Sequence, residues 1–380
     1  MALTFAPTSF EEAASAFAQA SDAGQAVRIV GGATKGHWGR LAADADLELF
    51  TSGLDGIVEH NEGDLTAVLE AGAPLARAQH QFASAGQMLA LDPFLGAAHE
   101  ATIGGIVATG DSGPLRHRYG APRDLIVGIT VALSDGTIAR SGGKVIKNVA
   151  GYDLGKLFCG SFGTLGLILS VSVRLHPLPA ATATALGVSA DPDVLRAAGA
   201  SLASSPLELE ALDVAWRGGR GGILARAGGV QARDRAQRVA SQMREVGLEP
   251  VDIDESDADL WARQRAGQRS ADRMVIRVAA RPSALAAVLR AADEAAATVV
   301  GRVAVGHSFA ELEPDAAPTF LERLPRGTVA VVLDAPAAVR EAVDPWGQPP
   351  AEHALELMRR IKARFDPAHA CNPGVFVGGI

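Results

Sequence analysis

The sequence is short of several things, and each shortage closes off a class of function. It has two cysteines, Cys159 and Cys371, in 380 residues, too few for a disulfide framework or a thiolate metal cage. A reducing cytosol is the simplest setting for such a chain. Basic residues are outnumbered, 35 Lys and Arg against 43 Asp and Glu, giving a formal net charge of −8. A general nucleic-acid binder shows a basic face, so no nucleic-acid partner is expected. No apolar run reaches the roughly 18 residues that would cross a membrane. The opening MALTFAPTSFEEAA lacks the basic region and long apolar stretch of a signal peptide. A cytoplasmic protein is expected, with peripheral attachment to the inner membrane through a partner left open. Familiar catalytic signatures are missing too. There is no GxGxxG between a strand and a helix, no GxSxG elbow and no GxxxxGK[ST] loop. The nine histidines are scattered without HxH or HExxH, so no metal site is expected.

What is abundant is glycine, and it is concentrated. Of 42 glycines, 14 fall within 102–166, twice what an even spread would place there. Glycine in such density serves positive-φ turns or lets the backbone approach a ligand closely. These glycines alternate with strand-like runs, Leu125–Leu133 and then Thr137–Arg140 after the turn residues Ser134-Asp135-Gly136. A glycine-lined cleft on a β-rich scaffold follows. Apolar residues at 48% and charged residues at 21% fit a soluble globular protein, and the length favours two domains.

In chain order, Ser9 and Glu12 have capping-box spacing ahead of a helix with Phe10, Ala13, Ala14 and Phe17 on one face. Val27–Val30 reads as a strand running into Gly31-Gly32-Ala33-Thr34-Lys35-Gly36. Such a loop offers several main-chain N–H groups to an anion and needs no lysine for it. Alone, a Gly-Gly pair is an ordinary tight turn; the second cluster downstream makes it a ligand loop. Two strands, Asp55–Asn61 and Leu65–Ala71, precede a helix starting at Pro74. A short helix over Tyr152–Phe158 leads through Gly160–Gly166 to a strand, Leu167–Leu175. His176-Pro177-Leu178-Pro179 closes this first region, residues 1–178.

Residues 179–335 have a different texture. Strands are expected at Thr184–Ser189, Leu207–Trp216, Ile223–Ala227, Met274–Ala280, Thr298–Val305 and Thr328–Leu333. Helices are expected at Pro192–Ala203, Gln231–Val246 and Ser283–Ala297. That pattern suggests an open α+β sandwich with its helices on one face. Arg217–Gly222 reads as a hairpin turn. Residues 336–380 carry a helix marked by Leu355, Met358, Ile361 and Phe365. They then turn at Asn372-Pro373-Gly374, so the tail is expected to return to the first region.

Several stretches together carry a resemblance. They are RIVGGATK, ATIGG, SGP, RYGAPRDLIVG, SDGT, GYDLGKLFCGSFGTLG and NPG, and they resemble the PCMH-type FAD-binding flavoproteins of the vanillyl-alcohol-oxidase family. The longer SGGKVIKNVAGYDLGKLF and WGQPPAEHALELMRRIKARFDPAHACNPGVFVGG are similar to the E-type FAD-binding subunits of glycolate oxidases. The resemblance implies an α+β protein: a PCMH-type FAD-binding domain in two lobes, an α+β cap domain and a short C-terminal return. It implies noncovalent FAD and a glycolate oxidase complex with two companions, a related D-type FAD subunit and an F-type iron–sulfur subunit. It also implies oxidation of a small 2-hydroxy acid, glycolate to glyoxylate, with D-lactate as another substrate.

For the site, the resemblance places the pyrophosphate on Gly31, Gly32, Ala33, Thr34 and Lys35. Thr102, Ile103, Gly104 and Gly105 face the same group from the other side. Ser112 and Gly113 lie beside the flavin or ribityl chain, Tyr119, Gly120, Gly163 and Ile168 complete the pocket, and Asn372 approaches the ring.

Three departures from the family pattern stand out. Ala33 replaces a third glycine, which is tolerable if φ stays negative. Val375 follows NPG where arginine is common. The metal-linked histidines of catalytic relatives are missing, leaving His307 in Val305-Gly306-His307 as a candidate general base, with a surface histidine as the preferred reading of it. Arg116-His117-Arg118 reads as a solvated turn and not as a covalent flavin attachment. Three functions stay open: a catalytic flavin subunit, a non-catalytic electron-relay or structural flavin subunit, and a stand-alone FAD-dependent alcohol or nucleotide-sugar oxidoreductase.

Overall fold

The computed structural model describes residues 2–41, 44–143 and 153–380. The start of the helix expected at Tyr152, and part of the SGGKVIKNVAGY stretch, lie outside them. The chain forms two compact units. One comprises Met1–Ser112, Gly120–Leu178 and Pro349–Ile380; the other comprises Gly113–Tyr119 and Pro179–Gln348.

The first helix of the first unit is Phe10–Asp22. Ser9 caps it, its hydroxyl accepting from the Glu12 amide, while the Glu12 carboxylate reaches back to Thr8. Ala13, Ala14 and Phe17 are buried beside Val27, Leu49 and Leu169, as the periodicity requires. Three short parallel strands, one before the helix and two after it, pair in the order Leu3–Phe5, Leu47–Phe50, Val27–Val30. A five-stranded antiparallel sheet runs Ile57–Asn61, Thr66–Glu70, Leu167–Arg174, Ile126–Ala132, Ile138–Gly142. Leu167, Leu169, Val171 and Val173 are fully or nearly fully buried, so the strand after the glycine-rich segment is central. The tail does return: Val27 forms a parallel bridge with Cys371.

The second unit is one eight-stranded antiparallel sheet. Its order is Val251–Asp254, Thr182–Ser189, Arg220–Gly228, Ala211–Arg217, Thr298–Arg302, His307–Leu312, Met274–Ala279, Val329–Asp334. Pro192–Ala203 is helical as expected, with Asp191 as its cap. Gly218 and Gly219 take positive φ in the turn between Ala211–Arg217 and Arg220–Gly228. The α+β class therefore holds, but the one-sided arrangement does not. Leu212, Ile223 and Ala225 point into the main core with four helices. Their sheet neighbours Ala211 and Leu224 pack against Trp261 of the helix Ala258–Ala266. Side chains alternate across a strand, so this helix covers the opposite face.

Candidate functional site

Strand Val27–Val30 ends where the first glycine loop begins. Ala33 sits at φ 55, in the left-handed region, and not at the negative φ expected of it. That conformation costs a non-glycine residue on the order of 1–2 kcal/mol. A left-handed residue in such a turn aims successive amides to one side, as in anion-binding nests. Among the described residues, the amides of Gly31, Gly32, Ala33 and Lys35 donate to no protein group. The amides of Gly36 and Trp38 do, to the carbonyls of Ala33 and Lys35. The loop thus carries a cluster of main-chain donors held by a turn at its far end.

The second loop is different. Ile103 and Gly104 donate to the carbonyls of Ala73 and Ala71, and the Thr102 hydroxyl accepts from the Gly105 amide at 3.3 Å. These amides are engaged by the protein, so the contribution of this loop is shape. A Cβ at Gly31 would lie 2.3 Å from Thr102 Oγ1, and one at Gly32 would lie 1.9 Å from the Glu100 carbonyl oxygen. The first loop rests on the second because both positions lack side chains.

The third and fourth pieces close on the same strand. Gly160 and Phe162 donate to Val107 and Ala108 of the helix Ile103–Thr109. Asn372 Oδ1 accepts from the Ile29 amide at 2.9 Å, and its Nδ2 donates to the Phe162 carbonyl at 2.8 Å. Both ends of the Asn372 amide are therefore occupied by backbone, and a Cβ on Gly163 would lie 2.6 Å from Nδ2. Ile168 is buried on the central strand and Gly120 turns at φ 85. Ser112 is buried, its amide bonded to Asp111. Gly113 and Tyr119 group with the second unit. There the Tyr119 hydroxyl donates to Glu210 Oε2 at 2.6 Å. Burial, then the Glu210 hydrogen bond and charge, push the phenol's pKa up.

The sequence reading missed Lys362. It lies on the C-terminal helix Glu352–Phe365, 2% exposed, with Nζ 2.6 Å from Asp366 Oδ2. The same ammonium donates to the carbonyls of Thr164 and Cys371 at 2.7 and 2.8 Å. A lysine on a polar-looking helix face gives no sequence signal of burial; the i, i+4 spacing to Asp366 was the available hint.

In the second unit, His307 lies opposite Arg302 on the neighbouring strand. Arg277 lies opposite Phe309, two residues on and so on the same face as His307. The Arg302 guanidinium stacks 4.9 Å from the Phe309 centroid. Burial, then the charges of Arg116, Arg277 and Arg302, push the His307 pKa down to about 3. Arg116–Tyr119 is a short helix, not a solvated turn, and burial ahead of Arg118 lowers the His117 pKa. Among the described residues no group of three or more His, Cys, Asp or Glu is placed to hold a metal ion. No described helix is long and apolar enough to cross a membrane.

Comparison with known proteins decides what the first unit holds. Residues 1–142 match the family model described as "FAD binding domain". The match covers 142 of the chain's 380 residues. The cofactor is FAD. The chain is 41% identical over 128 residues to glycolate oxidase subunit GlcE of Escherichia coli (strain K12), covering 33% of this chain and 36% of that protein. It is 35% identical over 150 residues to glycolate oxidase subunit GlcD of Bacillus subtilis (strain 168), covering 40% of this chain and 32% of that protein. The matched stretches thus span about a third of each relative. The fold is also that of a solved alkyldihydroxyacetonephosphate synthase, at TM-score 0.72 and 15% identity over 97% of this chain and 76% of that one.

The FAD-binding domain has a donor set that fits a diphosphate: four amides on a braced, glycine-cleared loop that donate to no group among the described residues. FAD supplies two-electron redox chemistry when bound, and the protein orients it.

Proposed function

We propose that this chain is an FAD-dependent oxidoreductase subunit of the glycolate oxidase type. It acts on a small 2-hydroxy acid, glycolate first and D-lactate second, within a complex that includes a related FAD-binding chain and an iron–sulfur chain that takes the electrons. The observation that carries the reading is the donor loop at 31–35, in a stretch that matches an FAD-binding family. Gly31, Gly32, Ala33, Thr34 and Lys35 hold the diphosphate noncovalently. Thr102, Ile103, Gly104 and Gly105 brace that loop. Ser112, Gly120, Gly163 and Ile168 form the pocket in the first unit, where Asn372 ties Ile29 to Phe162. The names of the GlcE and GlcD relatives support the complex.

The second unit supports an anionic substrate. Three guanidinium groups act on one half-buried imidazole, an environment that welcomes a carboxylate. The same environment leaves His307 neutral at pH 7 and a weak proton acceptor, whereas efficient bases have a pKa near the working pH. This favours His307 as a hydrogen-bonding neighbour of the carboxylate over general base. It is also the observation that favours the second reading, a relay subunit whose partner performs the substrate chemistry.

The test is anaerobic addition of glycolate to the purified chain, alone and with its neighbouring subunits, while flavin absorbance is followed. Bleaching by the chain alone supports the catalytic reading, and bleaching only with partners supports the relay. Flavin that stays oxidised throughout removes glycolate from the account. Arg277→Gln is expected to raise the glycolate concentration for half-maximal bleaching roughly tenfold or more without loss of flavin.

A further inference from the structure

Beneath the first glycine loop lies a buried ion pair that diphosphate binding does not by itself require. Lys35 Nζ is 3.3 Å from Asp111 Oδ2, with side chains 5% and 6% exposed. Burying two charges incurs a desolvation penalty that a well-packed apolar pair avoids, so stability is a poor account of it. Its anchorage is more informative. At one end, Lys35 is the last residue of the donor loop. Its ammonium is 3.4 Å from Thr34 Oγ1 and 5.8 Å from the centroid of the buried Trp38 ring. At the other end, Asp111 follows the helix Ile103–Thr109 and its left-handed cap, Gly110. The Asp111 amide donates to the Ile106 carbonyl at 3.1 Å, and its Oδ1 accepts from the Ser112 amide at 2.9 Å. One carboxylate therefore fixes the donor loop through one oxygen and the Ser112 turn through the other.

We propose that the Lys35–Asp111 pair is a clasp that holds loop 31–36 in its diphosphate-binding shape before FAD arrives, with Asp111 as a positioning residue. The proposal rests on the FAD reading above. A loop with a strained left-handed alanine persists only where its surroundings over-determine it. A loop fixed in advance also forfeits less entropy on binding. The clasp differs in sign from a direct electrostatic role. If Lys35 acted only as a cation on the diphosphate, Asp111 would oppose it, and removing the carboxylate would tighten FAD binding. In a clasp, loss of either partner frees the loop, so both substitutions weaken binding.

The experiment titrates flavin-free protein with FAD, following quenching of flavin fluorescence. Wild type, Lys35→Met, Asp111→Asn and the double variant are compared. Each single substitution is expected to raise Kd roughly tenfold, with the double variant no worse than the weaker single, as for residues acting as one unit. Asp111→Asn binding FAD as tightly as wild type, or more tightly, overturns the clasp; so do effects that add. Should a variant fail to fold, amide hydrogen exchange on flavin-free wild type decides. Protection at Gly36, Trp38 and Ser112 without FAD supports the clasp, and open-chain exchange there overturns it. Wild-type protein that takes up no FAD overturns the FAD reading, whereas the exchange measurement stands apart from that result.

Discussion

Ala33 shows how a single methyl records a loop's job. At φ 55 it occupies a conformation that glycine adopts without penalty. Ala33→Gly is therefore expected to raise folding stability by about 1 kcal/mol, read as a higher denaturant midpoint with FAD binding kept. A midpoint that stays or falls would mean the loop is not strained there. Gly32 is the converse case. Its Cβ would lie 1.9 Å from the Glu100 carbonyl, a backbone atom that cannot rotate away. Gly32→Ala is expected to weaken FAD binding at least roughly tenfold, checked by flavin content after gel filtration.

His307 makes a prediction about pH. Its folded pKa, about 3, lies below the ordinary histidine value of 6.5. Above pH 6.5 both states leave the ring neutral. Below it the unfolded chain takes up a proton that the native protein refuses, so stability falls as pH drops toward 3. At pH 5 the expected loss through this residue is about 2 kcal/mol. Denaturant unfolding of wild type and His307→Gln at pH 7.5 and pH 5 measures it: the gap between them should shift in the variant's favour at the lower pH. An unchanged gap would place His307 in a watery setting.

At the scale of elements, the C-terminal helix is the revealing case. Its periodic apolar residues Leu355, Met358, Ile361 and Phe365 are only partly buried; the deepest side chain is Lys362. Lys362→Met leaves Asp366 buried and unpaired, with the Thr164 and Cys371 carbonyls short of a donor. A loss of about 3–5 kcal/mol is expected, measured by thermal or denaturant unfolding. A loss below 1 kcal/mol would show the network to be incidental.

The same contrast explains what could be read in advance. Elements with a cap and a periodic apolar face, such as Phe10–Asp22 and Pro192–Ala203, were legible. The helix Ala258–Ala266 was not, because it buries only Trp261 and Gln264. The strands Val251–Asp254 and His307–Leu312 were missed because half of each, VDID and HSFAEL, is polar. Sheet partners stabilise them, and neighbours in space leave no mark on a local pattern. In the candidate site the glycines were legible because their spacing is a property of the chain itself. Which amides they leave available was not: Ile103 and Gly104 lose theirs to Ala73 and Ala71, residues some thirty positions earlier in the chain.

For the molecule as a whole, the first unit is assembled from three separated stretches, and the last supplies Asn372, Lys362 and Asp366. Truncation after Gln348 is expected to leave a chain that retains no flavin, since Ile29, Phe162 and Thr164 then lose their partners from the tail. Flavin retained by such a truncation would show that the return is dispensable.

The central claim is that main-chain amides at 31–35 receive a flavin diphosphate. Titrating flavin-free, full-length protein with FAD, with riboflavin as the comparison lacking phosphate, tests it most directly. The account predicts saturable one-to-one quenching by FAD and binding of riboflavin weaker by at least roughly a hundredfold. Equal binding of the two, or none of either, would contradict it.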